Sequence, residues 1–364
     1  MRVDERPRPP ELEATDGLPF VTVIMPVRNE AGFIERSLGR VLAQDYPADR
    51  MEVLVVDGMS TDDTRDVVRR LAGRTPDAPA VHVLDNPSRV VPAALNLGIE
   101  RAAGEVIVRV DGHCEIQPDH VRRCVELLHE TGADNVGGLQ VGIGHGRVGR
   151  ATALAANSAF GAGGASFRTA ERPGWVDTVY LGAWAREVFG RIGGFDEEMV
   201  RNQDDELNFR LVQSGGRIWL DPAIRSTYHS REHLAGFWRQ YYQYGKYKVR
   251  LMQKRGALPA ARHAGPPVLV LATAASLALA IAIRRPAWAA AVLGPYAATN
   301  LVASAAAARR DPGALPALPL AYACIHFGYG LGFLAGVWPW RWHFRRRRAA
   351  RQVVRAERPT GPGR

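Results

Sequence analysis

From residue 20 onward, short apolar runs alternate with stretches of helical periodicity. "FVTVIMPV" (Phe20 to Val27) is apolar and rich in β-branched residues, as in a strand buried on both faces of a parallel sheet. In "GFIERSLGRVLAQ", Ile34, Leu38, Val41 and Leu42 fall on one helical face. "MEVLVVDG" predicts a second buried strand ending on an acid and a glycine. "STDDTRDVVRRLAG" then predicts a helix with Ser60 or Thr61 as N-cap and acids in the first turn. "AVHVLDN", "VPAALNLGIERAA" and "EVIVRVDGH" continue as strand, helix and strand. Such alternation predicts an α/β fold with a parallel sheet and helices on its faces. Ligands of such sheets sit outside the carboxyl ends of the strands, so Asp57, Asp85 and Asp111 are expected at one functional edge.

The pattern loosens between about 130 and 235. This part is glycine-rich and reads as loop-rich, ending in an acidic turn, a helix from about Glu206 to Gln213 and a short strand. From 266 it changes again. "PPVLVLATAASLALAIAI", "PAWAAAVLGPYAATNLVASAAAA" and "ALPALPLAYACIHFGYGLGFLAGVWPW" each approach or reach bilayer-spanning length, with Trp and Tyr near several ends. The expected organisation is a lead-in at 1–19, a catalytic domain at 20–235 and an amphipathic interfacial segment at 236–265. Two to three transmembrane helices at 266–340 and a basic cytoplasmic tail at 341–364 complete it. Two spans plus one interfacial or re-entrant segment keep the tail inside, as the positive-inside tendency favours.

Charge sharpens this picture. The 364 residues carry a net charge of +10, but nine arginines and one acid lie from Arg341 onward, so the tail holds most of the excess. A near-neutral body with a basic tail beside apolar segments points to membrane lipids and away from nucleic acid. Cys114, Cys124 and Cys324 fit neither a disulfide framework nor a zinc spacing. The polar, proline-rich N-terminus is not a signal peptide, so a multi-pass protein of the inner or plasma membrane with a cytoplasmic catalytic domain is expected.

The candidate chemistry lies at the strand ends. Pro26, Asn29, Glu30 and Asp57 are placed to surround a nucleotide. A carboxylate at 57 can accept the imide N–H of uracil, or simply cap the following helix. No Gly-x-Gly-x-x-Gly follows the first strand, which excludes a dinucleotide oxidoreductase of the usual kind. Arg89 suits a diphosphate, and equally a solvated loop.

In order and spacing, the opening strand, "VVDGMSTDDT", "LNLGIERAAGEVIVRVDGH", "GGFDEE" and "QDDELNFRL" resemble glycosyltransferase family 2, enzymes of the GT-A fold. The resemblance covers about 20–230 and is strongest to the succinoglycan-biosynthesis type of bacterial exopolysaccharide enzyme. It implies a GT-A domain, a nucleotide-sugar donor and a lipid-linked or oligosaccharide acceptor, and extends the donor site to Val27, Ser60, Asn96 and Asp111.

The family's Asp-x-Asp, which holds a divalent metal and the donor diphosphate, is here Asp111-Gly112-His113. A carboxylate with an imidazole leans toward Mn²⁺ over Mg²⁺. His113 is then a ligand or a polar loop residue, and His229 a further ligand or a surface histidine. Alignment on Leu207 and Arg210 puts Asp204 at the catalytic base position, with Asp205 the alternative. Gln203 replaces the family's glutamate, and losing that charge is expected to lower the Asp204 pKa relative to relatives. The segment "GFWRQYYQYGKYKVRLMQKR" lacks the Gln-x-x-Arg-Trp of processive synthases, which implies transfer of one sugar per binding event. The departures at 113 and 203 also leave room for a non-catalytic membrane assembly component that retains the fold.

Overall fold

The computed structural model describes residues 17–74, 77–256 and 261–356, with side-chain surroundings as far as 337. The expected lead-in (1–19) falls almost wholly outside these residues, as do 357–364 of the expected tail. The described residues divide into two compact units: the part up to 233 with 303–318, and 234–302 with 319 onward.

The first unit is built on a nine-stranded sheet. Strands β1 (Val21–Val27), β2 (Met51–Asp57), β3 (Ala80–Asp85) and β4 (Val106–Arg109) alternate with helices α1 (Ile34–Leu42), α2 (Thr64–Arg74) and α3 (Val91–Arg101). Their order is β3-β2-β1-β4, all parallel. Every residue of β1 and β2 is buried, which is why both read as continuous apolar runs. In register, Val27 faces Asp57 and Asp57 faces Asp85, so the strand-end acids do gather at one edge.

Next come β5 (Cys114–Ile116), α4 (His120–Thr131), β6 (Asn135–Ile143), α5 (Gly146–Ala156), α6 (Ala159–Ala162) and α7 (Ser166–Thr169). They are followed by β7 (Gly174–Val176), β8 (Tyr180–Ala185), α8 (Glu187–Ile192), α9 (Gln203–Gln213) and β9 (Ile218–His229). Here the structure corrects the expectation of a loop-rich second half, whose strands extend the parallel sheet of β1 to β4. β8 joins β4 antiparallel, and β6, β9 and β5 extend the same sheet beyond it, making it mixed. Glycines hid β6. At Gly138 an added Cβ would collide with the Ile224 carbonyl of the neighbouring strand, so the residue that weakens the strand signal is the one the pairing demands.

Two helix starts also differ. α2 begins at Thr64, because Ser60 is engaged with Asp57 while Asp62 accepts from the Thr64 backbone N–H at 3.1 Å. α9 begins at Gln203, so Asp204 and Asp205 sit in its first turn and not in a preceding loop.

Apolar residues pack on both faces of the sheet. One layer joins Val23, Met25, Leu38, Val53 and Val108, and the other joins Ile24, Leu54, Leu95, Trp184 and Leu207.

The second unit is helical: α10 (Leu234–Arg255), α11 (Gly265–Ala282), α12 (Ala287–Ala308, its last turn in the first unit) and α13 (Leu318–Ala356). Phe237, Tyr241, Gly245, Lys248 and Val249 form the buried face of α10. Lys248 on this face is buried, 5% exposed. Gly328, Gly332 and Gly336 recur every fourth residue of α13, and a Cβ at each would press on Trp238, Tyr242 and Lys246 of α10. The close helix crossing needs these bare positions. Segments Ala261–Ala282, Ala287–Ala308 and Leu318–Val337 are each long and apolar enough to cross a membrane, and the third is the most covered by protein.

Candidate active site

The turn after β4 carries the first acid. Asp111 is held through its backbone: Cys114 N–H and the Ser37 hydroxyl both donate to its carbonyl at 3.0 Å. Gly112 has a local reason to be glycine, since a Cβ there would lie 2.8 Å from Val27 Cγ1 and 3.2 Å from Glu30 Cγ. Contact with β1 and the loop after it imposes that bareness, a constraint separate from any approach to a diphosphate.

The Asp111 carboxylate accepts from Arg109 twice, from Nε at 2.8 Å and Nη2 at 3.2 Å, and from the Tyr180 hydroxyl at 3.4 Å. Nη1 of the same guanidinium bonds Asp204. Two acids far apart along the chain thus meet on one buried arginine, 5% exposed. Burial raises the Asp111 carboxyl, but Arg109 and His113 outweigh it and hold the group below the usual carboxylate range. At Asp204 burial prevails, aided by Asp111 and Asp205 and opposed by Arg109, so its carboxyl is pushed up to about 6. Gln203 does remove one neighbouring charge, but burial sets the direction. The hydrogen bond from Arg109 goes to Asp204, and Asp205 acts on it as a neighbouring charge.

Asp111, His113 and Cys114 offer ligand atoms that all lie within 4.8 Å of one another. As a donor set for a hard or borderline divalent cation they fit in part. Asp111 Oδ1 accepts one hydrogen bond and keeps lone-pair capacity, while Oδ2 already accepts two. His113 Nδ1 lies 3.1 Å from Glu30, the carboxylate–imidazole pairing that orients a metal-binding ring and leaves Nε2 as its ligand atom. Cys114 fits worse: burial pushes its thiol well up, and Sγ is 2.7 Å from the Tyr180 hydroxyl. His229 ends β9, one residue beyond the Cys114–Tyr228 pair, with Nε2 3.3 Å from Glu115 and its ring against Phe33 and His145.

A second cluster closes the nucleotide side. Asp57 is fully buried and accepts from the Ser60 N–H and hydroxyl and from Arg65 Nε at 2.6 Å. Arg65 also bonds Asp85. Burial raises the Asp57 carboxyl, and Ser60 and Arg65 outweigh it, so it stays below its ordinary value. Asn29 adopts a left-handed backbone (φ 55°), and its side-chain oxygen accepts from Thr61 N–H at 2.8 Å. Met59 and Arg89 share that conformation (φ 58° and 59°), so the loops after the first three strands all carry strained residues. Arg89 is exposed. Asn96 fixes the "GGFDEE" loop, donating to the Phe195 carbonyl and accepting from the Phe195 N–H at 2.7 Å. Arg210 grips that loop from α9, donating to Gly194 at 2.6 Å while paired with buried Glu206.

Sequence reasoning overlooked Arg109, Tyr180 and Cys114. Arg109 left one signal, a lone charge in a strand expected to be fully buried. Tyr180 left none.

Residues 22–185 match the model of glycosyl transferase family 2. The succinoglycan biosynthesis protein ExoA of Rhizobium meliloti (strain 1021) is 34% identical over 290 residues, 78% of this chain and 86% of that protein. A dolichyl N-acetyl-α-D-glucosaminyl phosphate 3-β-D-2,3-diacetamido-2,3-dideoxy-β-D-glucuronosyltransferase of Methanococcus voltae is 27% identical over 65% of this chain and 74% of its own length. Among solved structures, the mannosyltransferase PcManGT of Pyrobaculum calidifontis, in complex with GDP-Man and Mn²⁺, superposes with a TM-score of 0.58. It is 24% identical, with 88% of this chain and 87% of that one covered.

Proposed function

The chain belongs to glycosyltransferase family 2, and on that footing we propose that it carries out an inverting, metal-dependent transfer of a single sugar. The donor is a nucleotide sugar, with uridine favoured, and the acceptor is a hydroxyl of a lipid-linked or growing saccharide in exopolysaccharide or cell-envelope synthesis. The observation that carries this reading is the meeting of Asp111 and Asp204 on Arg109 at the carboxyl ends of the central strands.

Asp204 is the general base. It takes the acceptor proton as the hydroxyl oxygen bonds to the anomeric carbon and the bond to the nucleoside diphosphate breaks on the opposite face. Its raised carboxyl supports the role, because a base near 6 accepts a proton more readily than an ordinary aspartate while remaining ionised at neutral pH. Asp111 and His113 hold the divalent cation, which when bound neutralises charge on the departing diphosphate. Glu30 orients the His113 ring. Asp57 retains capacity for one more donor beside Ser60 and Arg65, consistent with a uracil imide N–H. Pro26, Val27 and Asn29 line the same strand ends, Arg89 reaches the diphosphate, and Asn96 shapes the acceptor side through the 193–198 loop. We place the sheet unit on the cytoplasmic side of a cell membrane, with the apolar helices of 261–337 anchoring it beside a lipid-borne acceptor.

The test is a panel of UDP-, GDP- and dTDP-sugars offered to detergent-solubilised protein with Mn²⁺, Mg²⁺ or chelator. Metal-dependent turnover of one UDP-sugar supports every part of the reading. Turnover of a GDP-sugar alone overturns the role of Asp57, and undiminished turnover in chelator overturns that of Asp111 and His113.

A further inference from the structure

Arg109 ends a strand in which its neighbours Val106, Ile107, Val108 and Val110 are buried and apolar. A guanidinium in such surroundings is costly unless paired, and an apolar side chain would fill the place with a smaller loss of solvation. Its three nitrogens divide their work. Nε and Nη2 form a side-on fork to Asp111, and Nη1 turns to Asp204, 95 residues further along the chain. A planar fork can hold two carboxylates in a fixed mutual orientation, which a single ammonium cannot. Three of its five N–H donors, one on each nitrogen, go to these two acids.

We infer that Arg109 is a positioning residue that locks the donor-side carboxylate of Asp111 and the base carboxylate of Asp204 into one rigid unit. This rests on the reading of Asp204 as base and Asp111 as metal-side acid. The two acids otherwise belong to independent elements, the turn after β4 and the first turn of α9. Asn202, immediately before α9, is held in a left-handed conformation (φ 58°), and Asp205 and Asp111 both repel the ionised base. A shared cation holds the base in place against that repulsion. It also keeps Asp111 in one orientation, as partners behind a metal ligand do.

The experiment compares full-length Arg109→Lys and Arg109→Gln with the parent and with Asp204→Asn, all in detergent. Three quantities are read: turnover of the active donor against pH, calorimetric binding of UDP with Mn²⁺, and melting temperature. Arg109→Lys keeps the charge, so it serves even if Arg109→Gln fails to fold. It is expected to lower kcat by about 10²-fold, the scale of a misplacement near 1 Å. It should weaken Mn²⁺-dependent UDP binding about tenfold, as loss of a partner behind a metal ligand does. The acid limb of the pH profile should move to higher pH, since one point charge no longer serves both acids. Arg109→Lys with turnover, binding and acid limb all near parental values would overturn the inference. So would a lower melting temperature and lower turnover with the acid limb and UDP binding unmoved, because that describes a merely structural arginine. Turnover surviving in Asp204→Asn would instead remove the base assignment, whatever Arg109→Lys does.

Discussion

Two regions at the carboxyl edge of the sheet use the same device, an arginine between two aspartates, with opposite consequences. Arg65 links Asp57 to Asp85, and Arg109 links Asp111 to Asp204. Arg65 is 27% exposed and Asp85 62%, so water shares the work of stabilising that cluster. Arg109 is 5% exposed, and there burial pushes Asp204 up to about 6, while Arg109 and His113 hold Asp111 low against the same burial. Solvent access decides whether such a triad only shapes a loop or tunes a reactive group.

The sharpest way to break this contrast is Asp204→Asn. It should lower transfer by about 10³-fold or more, within the range of a general base, while leaving UDP binding close to parental. A loss of only a few fold, seen in initial rates, would put the two clusters on the same footing. Next in size is Asp111→Asn, expected to weaken Mn²⁺-dependent UDP binding by about 10²-fold in calorimetry, on the scale of disturbed metal sites.

The pH profile follows. A base must be ionised, so turnover should rise with pH through a midpoint of about 6 and level off above it. An acid limb near the ordinary aspartate value, about 4, would mean that burial does not tune this group. Stability should respond oppositely in the two regions. The lowered carboxyl of Asp57 contributes stability present above the unfolded value of 3.8 and lost as pH falls through the folded one. The raised carboxyl of Asp204 makes folding less favourable as pH rises from 3.8 through about 6. Removing Asp204's carboxylate should therefore flatten the dependence of melting temperature on pH between 3.8 and about 6. The smallest effect belongs to Asp85→Asn, which should change stability by less than about 0.5 kcal/mol in denaturant titration, as exposed substitutions do.

Much of this edge is legible in the residues themselves. Asp57 and Asp111 each follow an apolar run and precede a glycine or a glycine-bearing turn, and that local grammar places them at strand ends. Asp204 is reachable only through the family resemblance, by aligning Leu207 and Arg210 with the family's motif. The pairing of Asp111 with Asp204 is not reachable, because nothing near either residue refers to the other. Spacing alone gives Cys114 no metal or disulfide role, yet the turn after β4 brings its sulfur into the group of possible ligands, where burial and the Asp111 charge keep it a thiol. Strand β6 escapes notice because the glycines that permit its pairing with β9 also erase the alternation by which strands are recognised, whereas the start of β9 is legible as a short strand.

By itself the sequence determined what is periodic or local: the alternating strands and helices of the parallel core, the acids at its edge, the three apolar helical segments and the family motifs. Local patterns suffice there because side-chain burial repeats with the backbone's own period. Tertiary structure alone decided the mixed sheet, the place of His229 beside Glu115 and the buried arginine shared by two distant acids. Those features depend on which strands become neighbours and how much water they exclude. Charge and burial act through space, and the order of residues along the chain does not record them.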